Sequence, residues 1–521
     1  MIIKIILIIV FFASMIGVGV YSKKKATNVS NFVLGGHSAG PWLTAFSYGT
    51  SYFSAVIFVG YAGQFGWKFG LASTWIGLGN AFLGSLLAWI VLGRRTRIMT
   101  NSLGSSTMPS FFGKRFDSRA LRIGASVIAF IFLIPYTASV YNGLSRLFEM
   151  AFGIPYEICI LVMAVLTGLY VILGGYMATT INDFIQGIIM LFGICAVVIA
   201  VINGKGGFTE ALVGLASVPA DATAKVQAQG VYASFFGANP LDLLSVIILT
   251  SLGTWGLPQM VNKFYAIKSE KSVKTGAIVS TFFAVIVAGG CYFLGGFGRL
   301  FSDVPEIYGE NGSVVFDNIV PAMLSNLPDL LIGIVVVLVL SASMSTLSSL
   351  VLTSASTVTL DIVKKNIIKT MDEKKQLLVI RIFIVFFVAL SVFIAWNKTT
   401  FIAQLMGISW GALAGAFLAP FLYGLYWKGV TKASVWASFI CGVGITVLNL
   451  VSSMLNFWSV SPIVAGAAAM IAGLIIVPVV SLITPKMKKE RVDEIFTCYN
   501  KVVAVPKKMY LEDDEDKKKE D

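Results

Sequence analysis

An all-α integral membrane protein of about thirteen transmembrane helices, with a five-plus-five inverted-repeat core, is the fold class this sequence predicts. Three observations predict it. The composition is 57% hydrophobic and 12% charged, whereas soluble domains carry about a quarter charged residues. The apolar residues gather into segments near the ~20 residues that cross ~30 Å of hydrocarbon. Two of those segments are interrupted at corresponding places in two five-helix halves, the pattern of an inverted repeat with a site at the bilayer midplane.

The segments fall at about 2–21, 42–65, 72–93, 120–148, 156–175, 184–203, 240–260, 276–298, 328–359, 380–396, 401–426, 433–453 and 460–483. The first lacks a small-residue cleavage site and runs into Lys23–Lys25, so it reads as a leading helix and not a signal peptide. Segments 42–426 form the core and 433–483 two trailing helices, giving a transporter domain over 1–485. Residues 486–521 read as a charged, disordered cytoplasmic tail, ending in the run Glu512 to Asp521. The connection 204–239 is rich in glycine and alanine and is expected to hold a short surface helix. The 50 glycines suit helices that approach closely in a membrane.

Loop charges set the orientation. With the N-terminus outside, the inside loops collect Arg94, Arg95, Arg97, Lys114 and Arg115, then Lys263, Lys268, Lys271 and Lys274, then Lys364, Lys365, Lys369, Lys374 and Lys375. One outside loop is acidic, with Asp303, Glu306, Glu310 and Asp317. This is the positive-inside pattern of a multi-pass cell-membrane protein with a cytoplasmic C-terminus. The net charge of +13 is therefore a topology signal. The basic residues are dispersed among loops, which argues against nucleic acid as a partner and for the lipid bilayer. No obligatory protein partner is evident.

Several function classes are excluded. Five cysteines, one histidine and no Cys/His spacing argue against zinc, iron–sulfur and haem centres. No Walker loop, dinucleotide fingerprint or hydrolase elbow occurs. An enzyme would need a catalytic constellation in the bilayer, and His37 stands alone in a predicted inside loop.

The interrupted segments are the second and the seventh. The second has Pro41 at its entry, Gly49, Gly60 and Gly63 within it, and polar Ser47, Thr50, Ser51 and Ser54. The seventh carries Ser251, Gly253, Thr254, Gly256 and Pro258, and the proline is expected to break the helix. Counted from the second segment, these are core helices 1 and 6. Two segments after the second break comes Leu340 to Ser349, an uncharged run with five hydroxyl residues from Ser341 to Ser348 and a sixth in Ser349. Ser345, Ser348 and Ser349 share one helix face. Such hard oxygen donors suit a small hard cation.

The chain resembles the sodium/solute symporters, the group of bacterial sodium/proline, sodium/galactose, sialic acid, pantothenate and monocarboxylate carriers. The resemblance rests on Gly35-Gly36-His37-Ser38-Ala39-Gly40-Pro41, Phe53-Ser54-Ala55, Gly174-Gly175-Tyr176-Met177-Ala178 followed by Asp183, and Ser341 to Ser349, in that order along 1–485. It implies sodium as the co-transported ion and a small-molecule solute. A first sodium is implied between the backbone carbonyls of Thr50, Phe53 and Ala342 and the hydroxyls of Ser345 and Thr346. Many relatives have alanine at the place of Thr50, a change that a carbonyl ligand tolerates. Some relatives hold a second sodium, whose ligands would match Asp183, Ser345, Ser348 and Ser349. From the residues alone, Asp183 also reads as the N-cap of segment 184–203.

By position the solute would meet Ser51, Tyr52, Ser54, Val56 and Ile57 on core helix 1, Tyr136 and Tyr141 on core helix 3, and Ser251, Thr254 and Trp255 on core helix 6. Sugar carriers place polar side chains near Val56, Ile57 and Ser251, and proline carriers place aromatics near Val56, Thr250 and Thr254. Neither pattern is repeated here. The run Phe53 to Val56 is closer to carriers of monocarboxylates or vitamins. The expectation is a sodium-coupled symporter of a small carboxylate-bearing solute: an amino acid such as proline, a monocarboxylate or a vitamin. Alternatives are the same fold driven by protons or uncoupled, a sugar carrier, and a membrane sensor.

Overall fold

A computed structural model describes residues 2–24, 26–268, 271–368, 370–396, 402–458 and 460–500, and they are helical almost throughout. The leading helix is Ile2–Lys23. Core helix 1 consists of Pro41–Tyr52 and a second half that starts in a π-helical stretch, Val56–Tyr61, and ends in Ala62–Phe69. Core helix 2 begins at Thr74–Gly79 and continues through π-helical stretches to Gly93. Core helix 3 is Arg119–Phe152, and core helices 4 and 5 share Tyr156–Asn203. Core helix 6 is Pro240–Leu252 and Pro258–Tyr265, and core helix 7 is Lys271–Gly295. Core helices 8, 9 and 10 are Asp329–Thr357, Glu373–Ala395 and Ile402–Tyr426. Lys432–Met454 and Pro462–Ile483 trail and pack on core helix 10.

All thirteen predicted segments lie on these helices, yet the chain runs on where loops were expected. Among the described residues, ten helices are long and apolar enough to cross a membrane, or eleven with the bent pair of core helix 6. Core helices 4 and 5 meet at one non-helical residue, Gly175 (φ 55°, ψ −149°). A Cβ there would sit 2.7 Å from the Phe32 carbonyl oxygen, so only glycine fits both the backbone and the space. Helix resumes directly after it. Asp183 is therefore inside a helix and is not an N-cap.

Both predicted breaks occur. In core helix 6, Leu257 is extended, Pro258 opens the second half at a position where its missing N–H costs nothing, and the halves bend by 41°. In core helix 1 the break falls at Phe53 and Ser54, away from the glycines and from Pro41. The Ser54 hydroxyl accepts the Val56 N–H (3.2 Å) and restarts the helix. The glycines serve packing: a Cβ would lie 2.6 Å from the Phe283 ring at Gly49, 2.9 Å from Ile402 at Gly60 and 2.8 Å from the Phe316 oxygen at Gly63.

The connection 204–239 carries the expected short helix, Phe208–Ser217, with Phe208 and Val213 exposed. Residues 489–496, inside the stretch expected to be disordered, form a helix with Val492, Ile495 and Phe496 buried. Phe496 lies under the Arg115 guanidinium, which itself caps the end of core helix 10 by donating to the carbonyls of Gly424 (2.9 Å) and Trp427 (3.2 Å). The remainder of the predicted tail, 501–521, lies outside the described residues.

The acidic loop hides one carboxylate. Asp317, on Phe316–Leu324, is buried, pairs with Arg146 (3.8 Å) and accepts the Ile402 N–H (3.3 Å). Burial raises its pKa to about 6, with Arg146 opposing. An unfolded carboxyl titrates near 4, so the folded state binds the extra proton between those values. This group's contribution to stability is full below about pH 4 and is lost as pH rises through about 6. We expect the thermal-stability difference between wild type and Asp317→Asn to favour wild type most at the acid end of that window. A difference independent of pH would contradict it.

Candidate ion and solute site

The end of Pro41–Tyr52 leaves its last carbonyls without helical partners, and they carry the negative end of the helix dipole. Core helix 8 crosses this end with Ser345 and Thr346, both buried. The Ser345 hydroxyl donates to the Thr50 carbonyl (3.1 Å) and that of Ala342 (3.1 Å). The Thr346 hydroxyl lies 3.3 Å from the Phe53 carbonyl oxygen, 3.4 Å from that of Ser51 and 3.1 Å from that of Ala342. The five atoms expected to hold the first sodium thus converge in a buried cluster. Oxygens about 2.4 Å from a hard cation and at right angles lie about 3.4 Å apart, so small adjustments seat an ion. All five oxygens are uncharged, a set that suits reversible binding of a cation.

The second set behaves differently. Ser348 turns its hydroxyl back to the Ser345 carbonyl (2.9 Å). Asp183 and Ser349 do come together, but around Lys263, which lies on Pro258–Tyr265 and is buried rather than in an inside loop. Its ammonium is 2.7 Å from the Ser47 hydroxyl oxygen, 3.0 Å from that of Ser349 and 3.5 Å from Asp183 Oδ2. Ser47 in turn donates to Asp183 Oδ2. Sequence reasoning missed Lys263. The available signal was its nearness to Pro258: a half-helix after that break must include it.

The residues expected to meet the solute are all buried. Tyr52 donates to the Thr250 carbonyl (3.2 Å) and its ring lies 6.0 Å from that of Trp410, which also meets Tyr136 edge-on at 5.8 Å. The hydroxyls of Tyr61, Tyr136 and Tyr292 lie within electrostatic reach of Tyr52. Tyr136 stands beside Ser54 and the Trp410 indole, and Tyr292 beside the Asn80 amide; the two tyrosine hydroxyls, the indole N–H and the amide nitrogen are buried, and none makes a hydrogen bond of full geometry. Buried polar groups are normally paired, and these weakly satisfied ones gather beside the break in core helix 1. Tyr61, Asn80, Tyr292 and Trp410 were not anticipated; they come from parts of the chain that only the fold brings together.

The other expected residues divide. Ser51 shares a hydrogen bond with Ser349 (2.8 Å), toward the ammonium. Ser54 is used at the break, with Val56 and Ile57 buried just beyond it. Ser251 donates to Asn80 Oδ1 (3.1 Å), beside the cluster. Thr254 and Trp255 donate to the carbonyls of Gly84 (3.1 Å) and Leu83 (3.0 Å), which fastens core helix 6 to core helix 2. Tyr141 stands apart, near Thr167 and Tyr170 of core helix 4.

A bundle with two broken helices, an oxygen cluster at one break and a polar, aromatic centre beside it defines a secondary transporter of the inverted-repeat type. The chain belongs to the sodium:solute symporter family, whose sequence pattern matches residues 32–442. It is a sodium-coupled symporter and a multi-pass membrane protein. It is 28% identical over 484 residues to the osmoregulated proline transporter OpuE of Bacillus subtilis (strain 168), covering 92% of this chain and 94% of that one. It is 29% identical over 519 residues to the sodium/proline symporter of Staphylococcus aureus (strain JH9), covering 95% of each. Its fold is similar to a Na+-coupled sialic acid symporter in a substrate-bound outward-open state (TM-score 0.74, 15% identity, covering 94% of this chain and 99% of that one). It is also similar to Mhp1, a nucleobase-cation-symport-1 family transporter, in a closed conformation (TM-score 0.52, 14% identity, covering 90% and 99%).

Proposed function

We propose that the chain imports a small carboxylate-bearing solute, proline in first place, across the cell membrane with sodium held by Thr50, Phe53, Ala342, Ser345 and Thr346. The observation that carries this is the convergence of those five oxygens between a half-helix end and core helix 8. The names of the similar proline transporters support proline. So do the aromatic faces of Tyr52, Tyr136 and Trp410, which offer a surface for a small ring. A half-helix N-terminus can take the carboxylate without an arginine.

The proposed cycle is alternating access. A cavity of about 600 Å³ beside Gln64, Phe65, Val246, Phe316 and Gln404 is the outer approach. Sodium entering from outside bridges core helices 1 and 8 and fixes the break at Phe53 and Ser54, which completes the solute site. Release into the low-sodium cytoplasm loosens both. The N-terminus is outside and the C-terminus cytoplasmic, in keeping with the loop charges.

Uptake into proteoliposomes of the purified protein tests this. Labelled proline is expected to accumulate under an inward sodium gradient and not under a potassium gradient. Competition by unlabelled amino acids, monocarboxylates, vitamins and sugars ranks the solutes. No sodium-driven uptake of proline, with a labelled monocarboxylate or vitamin taken up instead, would remove proline and keep the class; uptake of sugars alone would remove the class.

A further inference from the structure

We propose that Lys263 supplies, as a tethered ammonium, the positive charge that a second sodium would bring to Asp183, so that this symporter binds one sodium per cycle. The proposal deepens the function above, and it depends on that reading only for which residues hold the remaining ion.

The ammonium sits where three elements meet. Ser47 comes from core helix 1, Asp183 from core helix 5 and Ser349 from core helix 8. Two hydroxyl oxygens and a carboxylate oxygen form the kind of shell a hard cation takes. An ammonium, with three N–H donors and no acceptor, satisfies the same three atoms. The Tyr176 ring lies 5.4 Å from the nitrogen and adds its π face.

The charge balance points the same way. A buried carboxylate is retained only with a compensating cation. Lys263 is the charged neighbour of Asp183, and the second carboxylate oxygen, Oδ1, is buried without a partner. A mobile ion and this ammonium cannot share the position, because like charges at contact distance repel. The cluster also touches the sodium ligands: Ser349 bonds to Ser51, whose neighbour Thr50 offers its carbonyl to Ser345. Lys263 therefore links the second half of core helix 6 to the sodium site and remains attached when sodium leaves.

A small cavity lined by Tyr176, Gln259, Asn262, Thr353 and Ser356 reaches Lys263 and Ser349. Shortening the lysine would enlarge this cavity on the side where Lys263 meets Asp183.

Equilibrium binding of radioactive sodium to the detergent-purified full chain tests the proposal without any solute. Wild type is expected to bind one sodium per chain, Lys263→Ala two, and Lys263→Ala with Asp183→Asn one. Lys263→Met, which keeps most of the volume and loses the charge, is expected to match Lys263→Ala and serves if alanine fails to fold. Two sodiums on wild type, or one on both neutral variants, would overturn the proposal. Thr346→Ala, which belongs to the first set alone, should remove one sodium from wild type and one from Lys263→Ala. If those counts stay unchanged while Lys263→Ala still gains an ion, the assignment of the first site fails and the lysine proposal stands.

Discussion

Ser345→Ala or Thr346→Ala raises the sodium concentration for half-maximal uptake roughly 10- to 100-fold, the factor expected from losing about 1.5–3 kcal/mol of interaction with a charged group. Each hydroxyl is one of the two side-chain oxygens in the proposed sodium site, which is otherwise made of backbone carbonyls. In the folded protein both hydroxyls also hold core helix 8 against the end of Pro41–Tyr52, so some stability is lost as well. Neither loss leaves a bulky cavity, since Ser345→Ala removes a single oxygen and Thr346→Ala an oxygen and one methyl group. The sodium effect should therefore exceed the fall in the amount of folded protein by a wide margin, and maximal uptake should recover at high sodium. The check is uptake against sodium concentration, normalised to folded protein by size-exclusion chromatography. Parallel loss of both quantities would assign the hydroxyls to packing instead of ion binding.

Gly66→Ala should prevent recovery of folded protein. A Cβ at Gly66 would fall 1.9 Å from the Gly295 carbonyl oxygen and 2.0 Å from its carbon, and one at Gly295 would fall 2.1 Å from the Ala62 oxygen. Core helices 1 and 7 touch here backbone to backbone, so no side chain can turn aside. Ordinary overpacking costs about 1–3 kcal/mol; with no rotamer to yield, the cost should exceed about 3 kcal/mol, a large part of a typical 5–15 kcal/mol stability. Gly289 on the same core helix 7 has open space around its missing Cβ. Gly289→Ala should be neutral or stabilise by up to about 1 kcal/mol through helix propensity. The yield of folded protein by size-exclusion chromatography, with thermal unfolding of whatever is recovered, decides the matter: equal behaviour of Gly66→Ala and Gly289→Ala would refute the close approach.

Much of this was legible in the sequence because a membrane makes length and hydropathy decisive. The apolar segments, the break at Pro258 and the hydroxyl run on core helix 8 each follow from local chemistry. The break in core helix 1 was legible in existence but not in place, because Phe53 and Ser54 carry no proline or glycine. A serine hydroxyl and contacts from core helix 8 set it. Gly175 was visible as a glycine, yet only the packing of Phe32 shows that one residue can replace a whole connection. Lys263 misled because a lysine near a segment end reads as a loop charge, and nothing local reveals the carboxylate waiting on another helix. The approach of Tyr61 and Tyr292 to Tyr52 was illegible for the same reason: their meeting is a property of the assembled bundle.

The lysine held among Ser47, Asp183 and Ser349 bears on how steep a solute gradient the cell can maintain. A tenfold sodium gradient supplies about 1.4 kcal/mol, and 100 mV adds about 2.3 kcal/mol per charge. One sodium per neutral solute then supports accumulation of roughly 500-fold, and two would support roughly 10⁵-fold. A charge that never leaves the protein does no work against the gradient. Under the one-sodium proposal, such a carrier gives up the steepest accumulation and spends half the sodium on every molecule taken up.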